Sequence, residues 1–376
     1  MGLERIKGQD RAIGLLRAAF ESERLSHAYL FQGPDGVGKE TAALAFAQAL
    51  NCEEEALSGC GKCAGCKMAA RLSHPDIHLI FPMPTTLKPA EKSELIASYV
   101  RDGYREQDFG RKSAIVSVET ILSDVVVKVN QRPYIGPWKA FVVADADMMT
   151  TEAANTLLKT LEEPPAKTVI ILTTSRPNAL PATVVSRCQK IPFASLPRDT
   201  VEEVLLADPR LGFDAKRASA AASLAQGSVG RALRTDKEGP TVDLKHVADL
   251  MVGKRTKDVA SLVNEATALA FRLGRTEQQR LLDLMLLWYR DVLKLSEMGG
   301  EAAKPHLLYS QHLRELTRQA DTMDVAAVGR LVDKIDDARR AIERYSNPTI
   351  VFTSVLLDMA IARKATVTKR GAGHAA

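Results

Sequence analysis

Gly33-Pro34-Asp35-Gly36-Val37-Gly38-Lys39 is the stretch that decides the fold, because it joins an apolar run at residues 28–32 to a helical pattern that begins at Lys39. The apolar run has the length of a buried strand. Glycines after such a strand let backbone N–H groups turn inward around phosphate, and the start of the following helix adds positive potential. A turn that merely requires glycine is the alternative, but the order strand, glycines, lysine and helix favours a phosphate-binding loop (P-loop).

The loop departs from the usual pattern at the residue after its lysine. Lys39 is placed to reach the outer phosphates of a nucleotide, and the next residue should be a Ser or Thr whose hydroxyl holds Mg²⁺. Glu40 stands there instead, and Thr41 comes one place late. Binding of ATP or ADP therefore stays open, whereas Mg²⁺ binding is not expected. The predicted nucleotide contacts of this segment are Gly33, Gly36, Gly38, Lys39, Glu40 and Thr41.

A second apolar run, at residues 140–143, should end in the carboxylates that hold Mg²⁺ and activate water in a working ATPase. It ends in Ala144-Asp145-Ala146-Asp147. One alignment puts Ala144 at the magnesium position and Asp145 at the catalytic position. A slip of one residue makes Asp145 the metal ligand and leaves Ala146 at the catalytic position. Either way one essential carboxylate is missing, so we predict weak or absent hydrolysis at this site.

A third apolar run, at residues 169–172, ends in Thr173 and Thr174. A polar residue at such a strand end can sense the outermost phosphate of a nucleotide, and Thr174 is the predicted sensor. An ordinary hydrogen bond at the strand end is the alternative interpretation.

Four of the five cysteines lie in one segment, which predicts a metal site rather than disulfides in a reducing compartment. Two adjacent C-x-x-C hooks and a fourth thiolate suit a closed tetrahedral Zn²⁺ site. Because no ligand position is open, we predict a structural zinc. An iron–sulfur cluster and uncoordinated thiols are the alternatives. The predicted ligands are Cys52, Cys60, Cys63 and Cys66.

Composition and length indicate a globular protein of two or three domains, with 376 residues, 45% hydrophobic and 26% charged. The net charge of +5 is compatible with contact to nucleic acid but does not argue for it. No apolar stretch approaches the roughly 20 residues that span a bilayer, so we expect no membrane contact. The first residues lack the apolar segment of a secretion signal, and the expected location is cytoplasmic.

The pattern of elements predicts a doubly wound α/β domain at residues 1–195, because strands alternate with helices there. This domain contains the cysteine module at 52–66 and a polar, charged insert at 82–112. No strand signal follows Pro197. Residues 196–240 are predicted to form a small helical lid and residues 241–363 an all-α domain. The predicted disordered tail covers residues 364–376.

The order of these motifs resembles bacterial clamp-loader subunits of DNA polymerase III, an AAA+ family with gamma/tau and delta-prime types. The resemblance covers residues 1–235 strongly, whereas the later helices fit only by class and position. It implies an AAA+ fold whose C-terminal helices form a collar for subunit assembly. The segments that carry it are Gly8-Gln9, His27-Ala28-Tyr29-Leu30-Phe31, the P-loop with the cysteine module behind it, residues 155–165 (NTLLKTLEEPP) and Ser186-Arg187-Cys188.

The resemblance also implies a role within a hetero-pentameric ring. That ring, built with gamma/tau and delta subunits, opens the sliding clamp and places it on primer–template DNA. Arg187 would act in trans, as an arginine finger on the ATP of a neighbouring subunit. Arg231, within residues 227–233, is the implied second sensor of nucleotide and lies one residue later than in the gamma form.

The departures at Glu40, Ala144 and Ala146 favour the delta-prime type, with little or no ATP hydrolysis of its own. One alternative is a gamma/tau-like active ATPase. Another is a zinc-knuckle nucleic-acid-binding protein on a P-loop scaffold, although the cysteine segment lacks interleaved aromatics and a dense basic patch. The sequence contains no polymerase site, so we expect any polymerase activity to belong to the holoenzyme.

Overall fold

The computed structural model describes residues 2–54, 59–84, 114–237, 244–256, 258–304, 307–343 and 346–372, together with positions 87, 91, 94 and 95. The chain divides into two compact units, Met1–Lys237 and Glu238–Ala376. Among the described residues, no helix is long and apolar enough to cross a membrane.

The first unit is built on five parallel strands, which in sheet order are β2 (Ile77–Ile80), β5 (Lys139–Val143), β6 (Thr168–Thr174), β1 (Ala28–Gln32) and β7 (Gln189–Pro192). The central strands are continuous apolar runs because helices cover both faces of the sheet. This is the predicted α/β architecture, and the three apolar runs singled out in the sequence all form strands. A separate antiparallel pair consists of β3 (Met83–Pro84) and β4 (Ala114–Ile115).

Two helices hold the sheet from opposite faces. One face packs through Tyr29 and Phe31 against helix α2 (Lys39–Leu50), and the other packs through Leu30 against Leu157 of helix α6 (Thr151–Glu162). The side chain of Thr150 caps α6 by accepting from Ala153 N. A π-helical turn at Leu122–Val126 interrupts the helical segment that runs from Val118 to Val129. Helices of this domain are α1 (Asp10–Glu21), α2 (Lys39–Leu50), α3 (Ala64–Ala70), α4 (Val118–Ile121), α5 (Val127–Val129), α6 (Thr151–Glu162) and α7 (Ala182–Val185).

Three further helices form the predicted lid, which belongs to the same compact unit. They surround a small apolar core that includes Val201, Leu205 and Ala218. The helices are α8 (Arg198–Ala207), α9 (Ala215–Leu224) and α10 (Val229–Lys237).

The second unit is helical throughout its described residues, as the sequence predicted. The helix that ends it continues to Ala372, so the disordered tail predicted from Lys364 was wrong up to that residue. The physical reason is that no glycine or proline separates Pro348 from Gly371. Residues 373–376 lie outside the described residues. The helices are α11 (Leu244–Met251), α12 (Val259–Arg272), α13 (Arg275–Met298), α14 (Gly300–Ala303), α15 (Leu313–Thr322), α16 (Val325–Glu343) and α17 (Pro348–Ala372).

The base of the predicted insert at 82–112 is closed by the antiparallel pair, in which Met83 lies opposite Ile115. Most of the insert lies outside the described residues.

Candidate functional site

The P-loop follows the carboxyl end of β1, as predicted, and its charged side chains contact other parts of the chain. Lys39 is only 1% exposed, and its Nζ donates to the Pro34 carbonyl at 2.8 Å. Glu40 is also buried, and its carboxylate accepts a 2.6 Å hydrogen bond from Thr173 Oγ1. Gly38 has a positive φ of 97° and directly precedes α2. The loop therefore joins β1 to α2, and its lysine contacts the backbone of the loop itself.

The lid is seated directly on this loop. Gly230 N donates to the Gly36 carbonyl at 3.0 Å. A Cβ at Gly36 would lie 2.4 Å from Ser228 Oγ and 2.9 Å from Gly230 Cα. Arg234 of α10 forms a 2.7 Å ion pair with Asp35. Burial alone would raise the pKa of Asp35, but Arg234, with Lys39 and Arg231, outweighs it and holds that pKa below its ordinary value.

The strand that should carry the catalytic carboxylates ends at Val143, and Ala144 is fully buried behind it. Asp145 follows in the left-handed region with φ 45°. Burial, reinforced by the charges of Glu40, Asp147 and Asp35, raises the pKa of Asp145 to about 7. Its surroundings therefore disfavour the ionised form of this carboxyl group.

Alternation along β6 places its two terminal threonines on opposite faces of the sheet. Thr173 contacts the P-loop helix through Glu40 and also accepts from Asp145 N at 3.2 Å. Thr174 instead donates to Asp147 Oδ1 at 2.6 Å, and Asp147 is also paired with Arg176 at 2.7 Å. Thr173, rather than the predicted Thr174, is thus the member of the pair that contacts the P-loop helix.

The other predicted side-chain contacts are Thr41 and Arg231, and Arg231 lies near enough to Asp35 to lower its pKa. Thr41 is exposed on α2. The Arg231 guanidinium donates to the Gln226 side chain, and Arg231 N donates to Ser228 Oγ at 3.0 Å. The structure therefore brings together the P-loop, Glu40, Asp145 and Thr173. Around Lys39 this cluster contains more carboxylates than a phosphate site favours.

Arg187 lies at the opposite edge of the sheet. It comes just before β7, and Gln189 of that strand pairs with Tyr29 near the start of β1. Because the strands are parallel, their starts and their ends lie on opposite edges, and β1 with five residues spans roughly 16 Å. The Arg187 guanidinium pairs with Glu162, at the end of α6, and donates to the Thr183 carbonyl at 2.9 Å. It is about one-third exposed.

The four clustered cysteines converge, and their sulfur atoms all lie within 4.8 Å of one another. Backbone N–H groups of residues 62 and 63 donate to Cys60 Sγ at 3.4 Å, and Cys66 N donates to Cys63 Sγ at 3.3 Å. Tetrahedral Zn–S bonds of about 2.3 Å place sulfur atoms about 3.8 Å apart, and Cys60 and Cys66 are separated by 3.9 Å. The donor set therefore fits a closed zinc site. Burial is the main cause that raises the pKa of the Cys66 thiol to about 12, so metal binding must displace its proton.

Two acidic residues, Asp76 and Glu162, make contacts that the sequence did not predict. Asp76 is fully buried and accepts from the backbone N–H groups of Tyr134, Ile135 and Gly136 at 2.6 to 2.8 Å. These three bonds outweigh burial and lower the pKa of Asp76. The His-Pro-Asp turn before β2 was the only signal in the sequence. Glu162 was also missed, because its partner Arg187 lies 25 residues away along the chain.

In sequence this chain resembles known subunits of DNA polymerase III, as the following matches show. The profile described as "DNA polymerase III, delta subunit" matches residues 8–197. The DNA polymerase III subunit delta' of Bacillus subtilis is 30% identical over 85% of this chain and 88% of its own length. Its Escherichia coli counterpart is 32% identical over 58% of this chain and 57% of its own length. The subunit tau of Bacillus subtilis is 26% identical over 93% of this chain, which spans 60% of that protein.

The parallel sheet, the P-loop at the end of β1 and the helical lid define an AAA+-like α/β protein. With the matches above, the chain belongs to the family of DNA polymerase III delta-prime clamp-loader subunits, which is related to the gamma/tau subunits.

Proposed function

We propose that this chain is a delta-prime subunit that hydrolyses little or no ATP itself and donates Arg187 to the nucleotide of a neighbouring subunit. It acts in a ring with gamma/tau and delta subunits that loads the sliding clamp on primer–template DNA. The observation that carries the proposal is the separation of Arg187 from the chain's own P-loop across the sheet.

The state of the P-loop supports the absence of hydrolysis. Lys39 and Glu40 are both buried and hydrogen-bonded within the chain, and the lid covers Gly36. A triphosphate would have to break these contacts and approach the carboxylates of Asp35 and Asp145, which repels negative charge. Binding of ATP or ADP without hydrolysis stays open, because Lys39 and the loop glycines are retained.

The position of Arg187 supports a role in trans. A guanidinium at the starting edge of the strands is too far from phosphates at the carboxyl edge of its own sheet to contact them. At an interface between subunits it can reach the phosphates of a neighbour, where a fixed positive charge stabilises the transition state.

The second unit supports assembly. Two mutually packed helices, α12 and α17, leave large apolar side chains in solvent. Phe271 is 84% exposed and Ile350 is 69% exposed, and apolar residues exposed together commonly mark interaction surfaces. We assign these helices to the collar that contacts the neighbouring subunits.

A structural Zn²⁺ held by Cys52, Cys60, Cys63 and Cys66 is part of the proposal. Metal analysis of the purified chain tests it, with a single zinc ion per chain as the expected result. Cys63→Ser should lose the metal, whereas Cys188→Ser, a buried cysteine outside the cluster, should retain it. Iron, or no metal at all, would overturn the assignment.

Co-purification with gamma/tau and delta subunits, followed by ATP turnover measurements, tests the function. We expect a stable complex and no turnover by the isolated chain. Steady turnover by the isolated chain that Lys39→Ala abolishes would instead identify a gamma/tau-like ATPase. Tight binding of primed DNA by the isolated chain, with a steep salt dependence, would favour the nucleic-acid-binding alternative.

A further inference from the structure

Arg187 is held in place by two contacts, and one of them involves a residue with no assigned role. The guanidinium pairs with Glu162 and also donates to the Thr183 carbonyl at 2.9 Å. Glu162 is the last residue of α6, and Thr183 lies within α7, so the arginine is fixed between the ends of two helices. We infer that Glu162 is the positioning residue for Arg187, presenting its guanidinium in one orientation to the neighbouring subunit. This inference rests on the proposed function in trans.

An unrestrained arginine is poorly prepared for such a role. Its long side chain has many rotamers, and that rotamer freedom must be lost when the guanidinium engages a phosphate. Glu162 and the Thr183 carbonyl remove much of that freedom in advance. The carboxyl end of α6, a helix of 12 residues, also favours a cation beside it. Arg187 is therefore ordered before the neighbour's phosphate arrives.

The pair is too weak to trap the arginine. The Glu162 side chain is 48% exposed and that of Arg187 is 35% exposed, and ion pairs at such sites are weak and screened by salt. A phosphate of higher charge can therefore recruit the guanidinium without a large penalty. A positioning residue is expected to orient the guanidinium and still release it to the phosphate, and Glu162 has this property.

The test compares reconstituted clamp-loader complexes that differ only in this subunit, in a double-mutant cycle of Glu162 with Arg187. We expect Glu162→Ala to lower the kcat for ATP about three- to tenfold with little change in KM, because orientation matters most in the transition state. Glu162→Gln, which retains an acceptor at the same reach, should lose less. Glu163→Ala changes the adjacent exposed carboxylate and is the matched control, with no expected change.

The variants of the cycle distinguish failure of the positioning role of Glu162 from failure of the proposed role of Arg187. In the Arg187→Ala background, Glu162→Ala should cause no further loss, since there is no guanidinium left to position. Independent losses, or equal effects of Glu162→Ala and Glu163→Ala, would overturn the inference and leave the role of Arg187 intact. If Arg187→Ala alone leaves turnover unchanged, the proposed function in trans fails, and the positioning role fails with it. An unchanged melting temperature for Glu162→Ala confirms that the effect is not a loss of folding.

Discussion

Charged residues are buried at one edge of the parallel sheet and partly exposed at the other. At the carboxyl edge, Lys39 and Glu40 are buried, and each is bonded within the chain. At the starting edge, Arg187 is partly exposed and held by a weak, solvated pair. The contacts of the P-loop join the sheet to the lid, whereas the opposite edge presents the arginine that we propose acts on a neighbouring subunit.

The largest effect that tests this comparison should come from closing the space between the loop and the lid. Gly36→Ala places a Cβ against Ser228 and the Gly230 backbone and also strains a positive φ, so we expect a loss of about 2 to 4 kcal/mol in the free energy of unfolding. Gly38→Ala strains a positive φ but meets nothing within 4 Å, and should lose only about 1 kcal/mol. Urea titration of the full chain measures both. Equal losses would mean that the lid is not seated on the loop.

A smaller effect should follow from the raised pKa of Asp145. The folded protein retains a proton that the unfolded chain releases between the ordinary pKa of 3.8 and about 7, so this group lowers stability as the pH rises through that window. Asp145→Asn removes the ionisation, and Asn tolerates the left-handed conformation. We expect a gain of roughly 1 to 2 kcal/mol at pH 8 and little change near pH 4. A loss of stability at pH 8 would show that the carboxylate has a favourable partner.

The smallest effect concerns the ion pair between Arg234 and Asp35. Both side chains are partly exposed, so Arg234→Gln should lower the free energy of unfolding by only about 0.5 to 1 kcal/mol. The difference from the unmodified chain should shrink at high salt, because screening weakens a surface pair. A salt-independent loss would instead indicate that Arg234 stabilises the lid through packing.

Much of the fold was predictable because its signals are local. The strands at 28–32 and 139–143 and the start of the helix at Lys39 follow from apolar runs and glycine positions. The charged contacts of the site were not predictable from the sequence, because each joins segments that are distant along the chain. Nothing local indicates that Glu40 pairs with Thr173 or that Gly230 packs on Gly36.

The sequence alone could not show which of Thr173 and Thr174 faces the P-loop helix. One position along β6 moves a side chain to the other face of the sheet, and the sequence alone offered both hydroxyls at the strand end. The contacts of Asp76 could not be predicted either, because its three partners lie 58 to 60 residues away along the chain.

ATP turnover of the reconstituted clamp loader, with Lys39→Ala or Arg187→Ala in this subunit alone, distinguishes an arginine donor from a motor. We expect Lys39→Ala to leave turnover unchanged. Arg187→Ala should lower it by roughly threefold or more, because one neighbouring site loses its arginine. The opposite result, loss with Lys39→Ala and none with Arg187→Ala, would contradict the account and identify this subunit as a motor in its own right.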